Sequence, residues 1–182
     1  MTTGLVIVDI QNDYFPGGKM PLVEIERAAE NAAKLLSHFR STKQPTFHIQ
    51  HTWEDAGAPF FVAGSKGARI HPSIAPGPNE TVIVKHFPNS FRESRLQEAL
   101  QAMGVDRLAI CGAMSHMCID ATTRAAADMG FECVVAHDAC ATTNVEFGGK
   151  QVPASEVHAA FMSALGFAYA KVVPTAEAVR MC

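Results

Sequence analysis

Residues 5–9 of the chain read Leu-Val-Ile-Val-Asp, four aliphatic residues that end at a carboxylate. Such an uninterrupted apolar run predicts a strand buried on both faces, which is typical of a parallel sheet. A loop containing Pro16-Gly17-Gly18 follows, and apolar residues at helical spacing begin near Ile25. The opening of the chain therefore predicts a strand, a loop and a helix, with an acid at the end of the strand.

The same alternation of short strands and amphipathic helices continues along the chain. Further strands are predicted at residues 45–50, 81–84, 107–111, 132–136 and 172–173. Helical segments closing at Gly104 and Gly130 lie between them, the first with Ser94 and Gln97 spaced as a capping box. The alternation predicts an α/β fold, a three-layer α/β/α sandwich with a mostly parallel, Rossmann-like sheet of about six strands.

Length and composition limit the classes of protein. The 182 residues are expected to form a single domain over residues 1–182. The formal net charge is −3, without a basic run, so nucleic-acid binding is not expected. The apolar runs fall well short of the roughly 20 residues of a membrane helix. The first residues carry no basic leader, so we expect a cytoplasmic protein without a membrane partner.

Cysteine usage points to one candidate nucleophile. Five cysteines, an odd number without a Cys-x-x-Cys pair, argue against a disulfide framework and a thiolate zinc site. Cys111 and Cys133 fall inside predicted strands, as core residues would. Cys118 follows a strand and the turn at Gly112, so it is predicted in the first turn of a helix, where free N–H groups lower a thiol pKa. A buried structural thiol is the alternative.

Three chemically active residues follow the ends of predicted strands. Asp9 ends the first strand, Lys85 ends the third, and Cys118 follows the fourth. The carboxyl ends of parallel strands share one edge of the sheet, where ligands bind. Asp9 and Lys85 would each supply the counter-charge that the other needs when buried. Aspartate would then take the thiol proton and lysine would stabilise the thiolate, as in catalysis by an activated cysteine.

Three segments resemble the isochorismatase-like cysteine hydrolases, a family that includes nicotinamidases and N-carbamoylsarcosine amidase. Residues 9–14, Asp-Ile-Gln-Asn-Asp-Tyr, resemble the family's D-x-Q-N-D-[FY] opening. Lys85 and the following turn at residues 88–91 resemble its lysine strand and loop. Residues 112–119, Gly-Ala-Met-Ser-His-Met-Cys-Ile, are similar to its G-x-x-[TS]-x-x-C-V signature. The resemblance covers nearly the whole chain, with the motifs in the family's order.

The resemblance implies roles for individual residues. It implies a catalytic triad of Asp9, Lys85 and Cys118, and a cis peptide bond between Ala113 and Met114. The backbone N–H groups of Met114 and Cys118 would form the oxyanion hole. The substrate-binding residues would be Gln11, Tyr14, Asn89, Phe91 and Met117. The resemblance further implies a small-molecule substrate, no cofactor, and a homodimer or homotetramer.

The presence of Cys118 favours one reaction among those of the family. Members that cleave a vinyl ether lack the cysteine, so the resemblance implies attack on an amide or related C–N bond through a Cys118 thioester. Hydrolysis of an ester or lactone by the same triad is one alternative. A catalytically silent binding or redox-sensing protein is the other.

The histidines give no metal motif. Nicotinamidases resemble one another in an Asp-x-His motif after the second strand, which is absent from Phe-His-Ile-Gln-His at residues 47–51. His48 and His51 are three apart, so on a strand they would point to opposite faces. His71 lies in the following loop, and His158 is expected on a solvated helix face. We therefore expect no metal, with a metal-assisted amidase as the weaker alternative.

Overall fold

Six parallel strands form the centre of the molecule, in a computed structural model that describes residues 2–182. The six are β1 (Thr3–Val8), β2 (Thr46–His51), β3 (Thr81–Lys85), β4 (Arg107–Ala113), β5 (Glu132–Ala141) and β8 (Lys171–Val173); β6 (Val145–Phe147) and β7 (Lys150–Val152) form a separate antiparallel pair. Their order is β3-β2-β1-β4-β5-β8, and each neighbouring pair is parallel. The predicted α/β fold is confirmed.

Within residues 2–182, helices cover both faces of this sheet: α1 (Ile25–Ser41), α2 (Leu96–Ala102), α3 (Asp120–Asp128), α4 (Ala154–Ala168) and α5 (Thr175–Met181). The side chains of β1 alternate between the two layers. Leu5 and Ile7 pack with α1 and α5, whereas Val6 and Val8 pack with α2, α3 and α4. All of β1 is buried, as its aliphatic run predicted. In the described part of the chain, no helix has both the length and the apolar character needed to cross a bilayer.

The end of β4 places the turn that carries Cys118 beside the end of β1. The register between β4 and β5 shifts between Ile110 and Gly112, and Gly112 has a φ of 129°. Gly112 pairs with Val8 so closely that a Cβ atom would lie 1.9 Å from the Val8 carbonyl oxygen. Because no side chain fits there, glycine is required for the turn to begin next to Asp9.

The structure corrects several element boundaries. The helix expected from His116 begins as a π-helical turn, Ser115–Ile119, before α3. The predicted capping box is wrong, because Arg95 is the N-cap of α2 and the Ser94 hydroxyl accepts a hydrogen bond from the Leu96 N–H at 3.2 Å. No strand was predicted between residues 136 and 172, where the structure has the β6–β7 hairpin, whose turn residues Gly148 and Gly149 both have positive φ.

Glu80 fastens the end of the long connection between β2 and β3. Its carboxylate accepts hydrogen bonds from Arg40 at 2.6 and 2.8 Å, from His48 Nε2 at 2.8 Å and from the Gly77 N–H at 2.7 Å. These contacts, led by Arg40, lower the pKa of Glu80 to about 2. Burial lowers the pKa of His48, so its ring is neutral and donates from Nε2. The network ties α1 and β2 to this connection.

We predict that Gly112→Ala destabilises the protein by at least about 3 kcal/mol, since it combines an unfavourable φ with a backbone clash. Gly130→Ala is the matched control. Gly130 also has a positive φ, of 93°, but a Cβ atom there meets nothing within 4 Å, so a loss of only about 1 kcal/mol is expected. Urea unfolding measures both. Equal losses would contradict the proposed close approach to Val8.

We predict that Glu80→Gln lowers the free energy of unfolding by about 1–2 kcal/mol at pH 7. A lowered pKa in the folded state stabilises the protein fully above the usual value of 4.5 and loses that effect as the pH falls towards about 2. The difference from the wild type should therefore shrink over this interval, as urea unfolding at each pH would measure. Glu24→Gln, which breaks an exposed pair with Arg27, should have little effect at any pH.

Candidate active site

Three strand ends bring Asp9, Lys85 and Cys118 together, and we call these residues the Asp-Lys-Cys cluster. Asp9 follows β1, Lys85 is the last residue of β3, and Cys118 lies in the π-helical turn after β4. Lys85 Nζ lies 2.7 Å from Asp9 Oδ2 and 3.3 Å from Cys118 Sγ. Since β2 lies between β1 and β3, the lysine side chain reaches across one strand to make these contacts.

The ammonium of Lys85 is buried and surrounded by acceptors. It donates hydrogen bonds to His51 Nδ1 at 3.0 Å, to the Phe87 carbonyl oxygen at 3.0 Å and to Cys118 Sγ. With the Asp9 carboxylate at 2.7 Å, these acceptors leave none of the three ammonium protons without a partner. Asp9 adds the compensating negative charge. Burial opposes the charge on Lys85, but Asp9, with Cys118, raises its pKa overall, so the ammonium remains protonated at neutral pH.

Asp9 is placed as a proton acceptor. Its φ of 52° lies in the left-handed region, which aspartate tolerates better than most residues. The side chain is fully buried, and among residues 2–182 neither carboxylate oxygen has full hydrogen-bond geometry with another group. Burial raises the pKa of Asp9 above its usual value, although Lys85 opposes that shift. Asp9 is therefore a stronger base than an exposed aspartate.

Cys118 is a protonated thiol at rest. The residue is 5% exposed, and burial is the main cause that raises its pKa well above the usual value. The charge of Asp9 raises it further and Lys85 lowers it. The expectation that the helix start lowers the pKa of this thiol is therefore wrong, because desolvation dominates. A thiol in this state needs a base before it can act as a nucleophile.

The comparisons with known proteins agree on one family. A family model for the isochorismatase domain matches residues 3–165. The chain is 56% identical over 175 residues to an uncharacterized isochorismatase family protein of Bacillus subtilis (strain 168), covering 96% of this chain and 97% of the relative. The chain belongs to the isochorismatase family. The resemblance of its three motifs to that family is confirmed, and it is an isochorismatase-family hydrolase.

Two further similarities extend this result. A crystal structure of an isochorismatase-type hydrolase from Oleispira antarctica matches with a TM-score of 0.96 and 54% identity, covering 98% of this chain and 96% of that one. The chain is also 33% identical over 180 residues to streptothricin hydrolase of Streptomyces noursei, covering 96% of this chain and 63% of the relative. The similarity to the isochorismatase family thus extends over nearly the whole chain in both sequence and structure.

The turn before Cys118 has the backbone conformation that the family resemblance implied. The peptide bond between Ala113 and Met114 is cis. The Met114 carbonyl oxygen accepts hydrogen bonds from the N–H groups of Met117 at 3.0 Å and Ile119 at 3.1 Å. Met114 and Cys118 are both buried. The two N–H groups expected to form the oxyanion hole therefore belong to one compact turn.

The expected substrate-binding residues lie in different environments. Tyr14 is 2% exposed, with its ring 4.6 Å from that of Phe61, and burial raises its pKa, followed by the charges of Asp9 and Cys118. The role of Tyr14 in binding substrate stays a prediction. Met117, at 40% exposure, lies next to Cys118 on the outside of the turn.

Three of those residues make contacts within the protein. Gln11 Nε2 donates to the carbonyl oxygens of His51 and Ala68, and its Oε1 accepts from the His51 N–H, so its amide holds the end of β2. Phe91 packs in the apolar layer beneath α2 and α3. Asn89 Oδ1 accepts the Phe91 N–H and shapes the turn after β3. In the structure these three side chains position or pack neighbouring segments, and their contact with substrate stays a prediction.

The histidines show what the sequence interpretation missed. His48 binds Glu80, His71 stacks on Phe15, and only His51 reaches the cluster. His51 was not identified as a site residue, although it directly follows the strand predicted at residues 45–50, just as Asp9 and Lys85 follow theirs, and this position is a signal that could have found it. His158 is not solvated as expected, because its Nδ1 lies 2.8 Å from the Ser115 hydroxyl.

One potential metal-ligand atom from each of Asp9, His51 and Cys118 lies within 4.8 Å of the other two. Among residues 2–182, no other group of at least three such side chains is arranged in this way. Lys85 Nζ already lies within 3.3 Å of an atom of each of the three. A metal ion would have to compete with an ammonium that these groups hold. The donor set therefore fits the lysine better than a resident metal.

We predict that Asp9→Asn and Lys85→Met shift the pH dependence of Cys118 alkylation in opposite directions. Removing the aspartate charge lowers the thiol pKa, and removing the lysine charge raises it, each by about 1–3 pH units. Iodoacetamide rates located by peptide mass spectrometry measure this. Cys182, which is only partly buried, should react identically in all variants. Shifts in the same direction would contradict the arrangement, and simultaneous reaction of Cys111, Cys133 and Cys140 would reveal an unfolded variant.

Proposed function

We propose that this isochorismatase-family protein hydrolyses an amide or related C–N bond of a small molecule through a thioester on Cys118. The supporting observation is the buried Lys85 ammonium, which contacts both a free carboxylate and a thiol sulfur. A buried cation at this position stabilises the thiolate as it forms. A structural ion pair would not need the third, nucleophilic partner.

The proton moves between sulfur, carboxylate and leaving group. Asp9 takes the Cys118 proton while the sulfur attacks the substrate carbonyl carbon, and the S–C bond forms. The C–N bond then breaks, and Asp9 returns the proton to the departing nitrogen. Water next attacks the thioester, Asp9 takes its proton, and the C–S bond breaks. Asp9 finally reprotonates the sulfur, which leaves a carboxylic acid product and the resting enzyme.

Two backbone groups are proposed to stabilise the charge that develops on the substrate oxygen. The N–H groups of Met114 and Cys118 lie in the turn after β4, and the first turn of a helix leaves its N–H groups without intrahelical acceptors. Lys85 stays charged throughout and balances first the carboxylate and then the thiolate. No metal or cofactor takes part in this scheme.

The raised pKa of Asp9 favours a C–N bond over an ester. An amine is a poor leaving group unless it is protonated, and an acid with a raised pKa holds a proton for that step. An ester or lactone needs this proton less, so the same triad acting on one of them is the second candidate. A relative at 33% identity is named streptothricin hydrolase, which supports hydrolysis of a small molecule without naming the bond.

The redox-sensing alternative fits the site less well. Sensor cysteines have a low pKa and are accessible to oxidants. Cys118 is 5% exposed and its pKa is raised by burial, so little thiolate is present to react with peroxide. The same features protect a nucleophile that is used only when substrate is bound.

We predict that Cys118→Ala and Asp9→Asn each reduce turnover at least about 10³-fold without unfolding the protein. A panel of small amides, carbamoyl compounds and esters, scored for ammonia or amine against alcohol release, identifies the bond cleaved. Cys182→Ala is the matched control, because this cysteine lies at the terminus away from the site, and it should keep full activity.

Each outcome of this experiment decides between candidates. Retained turnover in Cys118→Ala would exclude the covalent route. Release of alcohol alone would favour the ester candidate. A pH profile that falls on the acid side at a pKa above the usual value for aspartate, and disappears in Asp9→Asn, would support Asp9 as the base.

A further inference from the structure

His51 is the fourth side chain around the buried ammonium. It ends β2, between Asp9 on one side and Lys85 on the other, and it is 4% exposed. Gln11 fixes its backbone through hydrogen bonds to both its N–H and its carbonyl oxygen at 2.8 Å. These two hydrogen bonds hold the backbone of His51 in place beside the ion pair.

The contact with Lys85 decides where the imidazole carries its hydrogen. Lys85 Nζ is 3.0 Å from His51 Nδ1, and an ammonium can only donate, so Nδ1 must be the acceptor. Burial, followed by the charge of Lys85, lowers the pKa of His51 to about 3, so the ring is neutral at physiological pH. The single hydrogen therefore lies on Nε2.

That hydrogen has no acceptor within the described protein. Nε2 of His51 is buried and, among residues 2–182, has no hydrogen-bond partner. A buried donor without an acceptor is unfavourable, so it needs an explanation. The imidazole adjoins the reactive sulfur, because Lys85 Nζ lies 3.0 Å from its Nδ1 and 3.3 Å from Cys118 Sγ. The unpaired donor is therefore on a ring that lies beside the place where a small molecule would meet the sulfur.

We infer that His51 Nε2–H binds a hydrogen-bond acceptor of the substrate, while Nδ1 of the same ring positions Lys85. This inference rests on the proposed function and specifies its substrate. Aromatic rings adjoin the imidazole, with Trp53 at 4.7 Å and Phe61 at 6.2 Å between ring centroids. The substrate class is thus a small acyl compound with a flat or apolar body and an acceptor atom beside the scissile carbonyl.

Two substitutions separate the two roles of the ring. In His51→Asn the amide oxygen can replace Nδ1 as the acceptor for Lys85, but nothing replaces Nε2. In His51→Gln the amide nitrogen can replace the Nε2 donor, but the acceptor near Lys85 is lost. We expect His51→Asn to raise KM about five- to tenfold with an unchanged pH profile. We expect His51→Gln to retain KM while it lowers kcat and shifts the pH profile.

A second readout needs no substrate, so it separates failure of this inference from failure of the proposed function. Iodoacetamide carries a carbonyl acceptor beside its reactive carbon, whereas iodoethane has the same leaving group without one. If Nε2–H binds that acceptor, His51→Asn should lower the ratio of the two alkylation rates at Cys118 at least about threefold. His51→Gln should keep the wild-type ratio.

His48→Asn is the control, because His48 is the other buried histidine of β2 and contacts Glu80 instead of the cluster. It should change neither the rate ratio nor KM. An unchanged rate ratio in His51→Asn would overturn the inference, whether or not the wild type hydrolyses the panel. Absence of turnover in the wild type together with a lowered ratio in His51→Asn would overturn the proposed reaction and keep the donor.

Discussion

A fully buried ammonium organises the carboxyl edge of this sheet. Removing a charged lysine from water is strongly unfavourable unless opposite charge and hydrogen-bond acceptors replace the water. The partners of Lys85 come from different parts of the chain: Asp9 after β1, His51 at the end of β2, the Phe87 carbonyl oxygen after β3 and Cys118 after β4. The contacts that compensate the buried charge of Lys85 therefore also bring the reactive groups together.

This arrangement also explains why a thiol with a raised pKa is compatible with catalysis. Burial raises the pKa values of both Asp9 and Cys118, so the thiol is protonated at rest and the carboxylate is a stronger base than an exposed aspartate. Lys85 lies 2.7 Å from Asp9 Oδ2 and 3.3 Å from Cys118 Sγ, so it can stabilise a negative charge on either one. Moving the proton from sulfur to carboxylate thus exchanges one ion pair with Lys85 for another. That exchange keeps a negative charge beside the ammonium while the sulfur attacks a carbonyl.

The sequence predicted the parts of this structure that depend on local pattern and strand order. Aliphatic runs identified the six sheet strands, and the rule that carboxyl ends share an edge brought Asp9, Lys85 and Cys118 together. The sequence could not predict the pKa of the Cys118 thiol, because the degree to which that thiol is buried depends on packing by distant residues. His51 was missed for a similar reason: its contact with Lys85 depends on β2 lying between β1 and β3, which composition does not reveal. The pairing of Glu80 with Arg40 and His48 likewise joins residues far apart in the chain.

The segment after β1 connects this chemistry to the walls of the site. Asp9 supplies the carboxylate, Gln11 clamps the backbone of His51, and Asp13 accepts the N–H groups of Phe61 at 2.7 Å and Lys19 at 3.2 Å. Phe61 has a φ of 54°, a left-handed conformation that a bulky residue rarely adopts, so the Asp13 contact holds it against that preference. One short segment thus fixes the base, the lysine-positioning histidine and an aromatic wall. Because Gln11 and Asp13 also bond to Ala68 and Phe61, the long connection is anchored to the same segment that supplies the carboxylate of the ion pair.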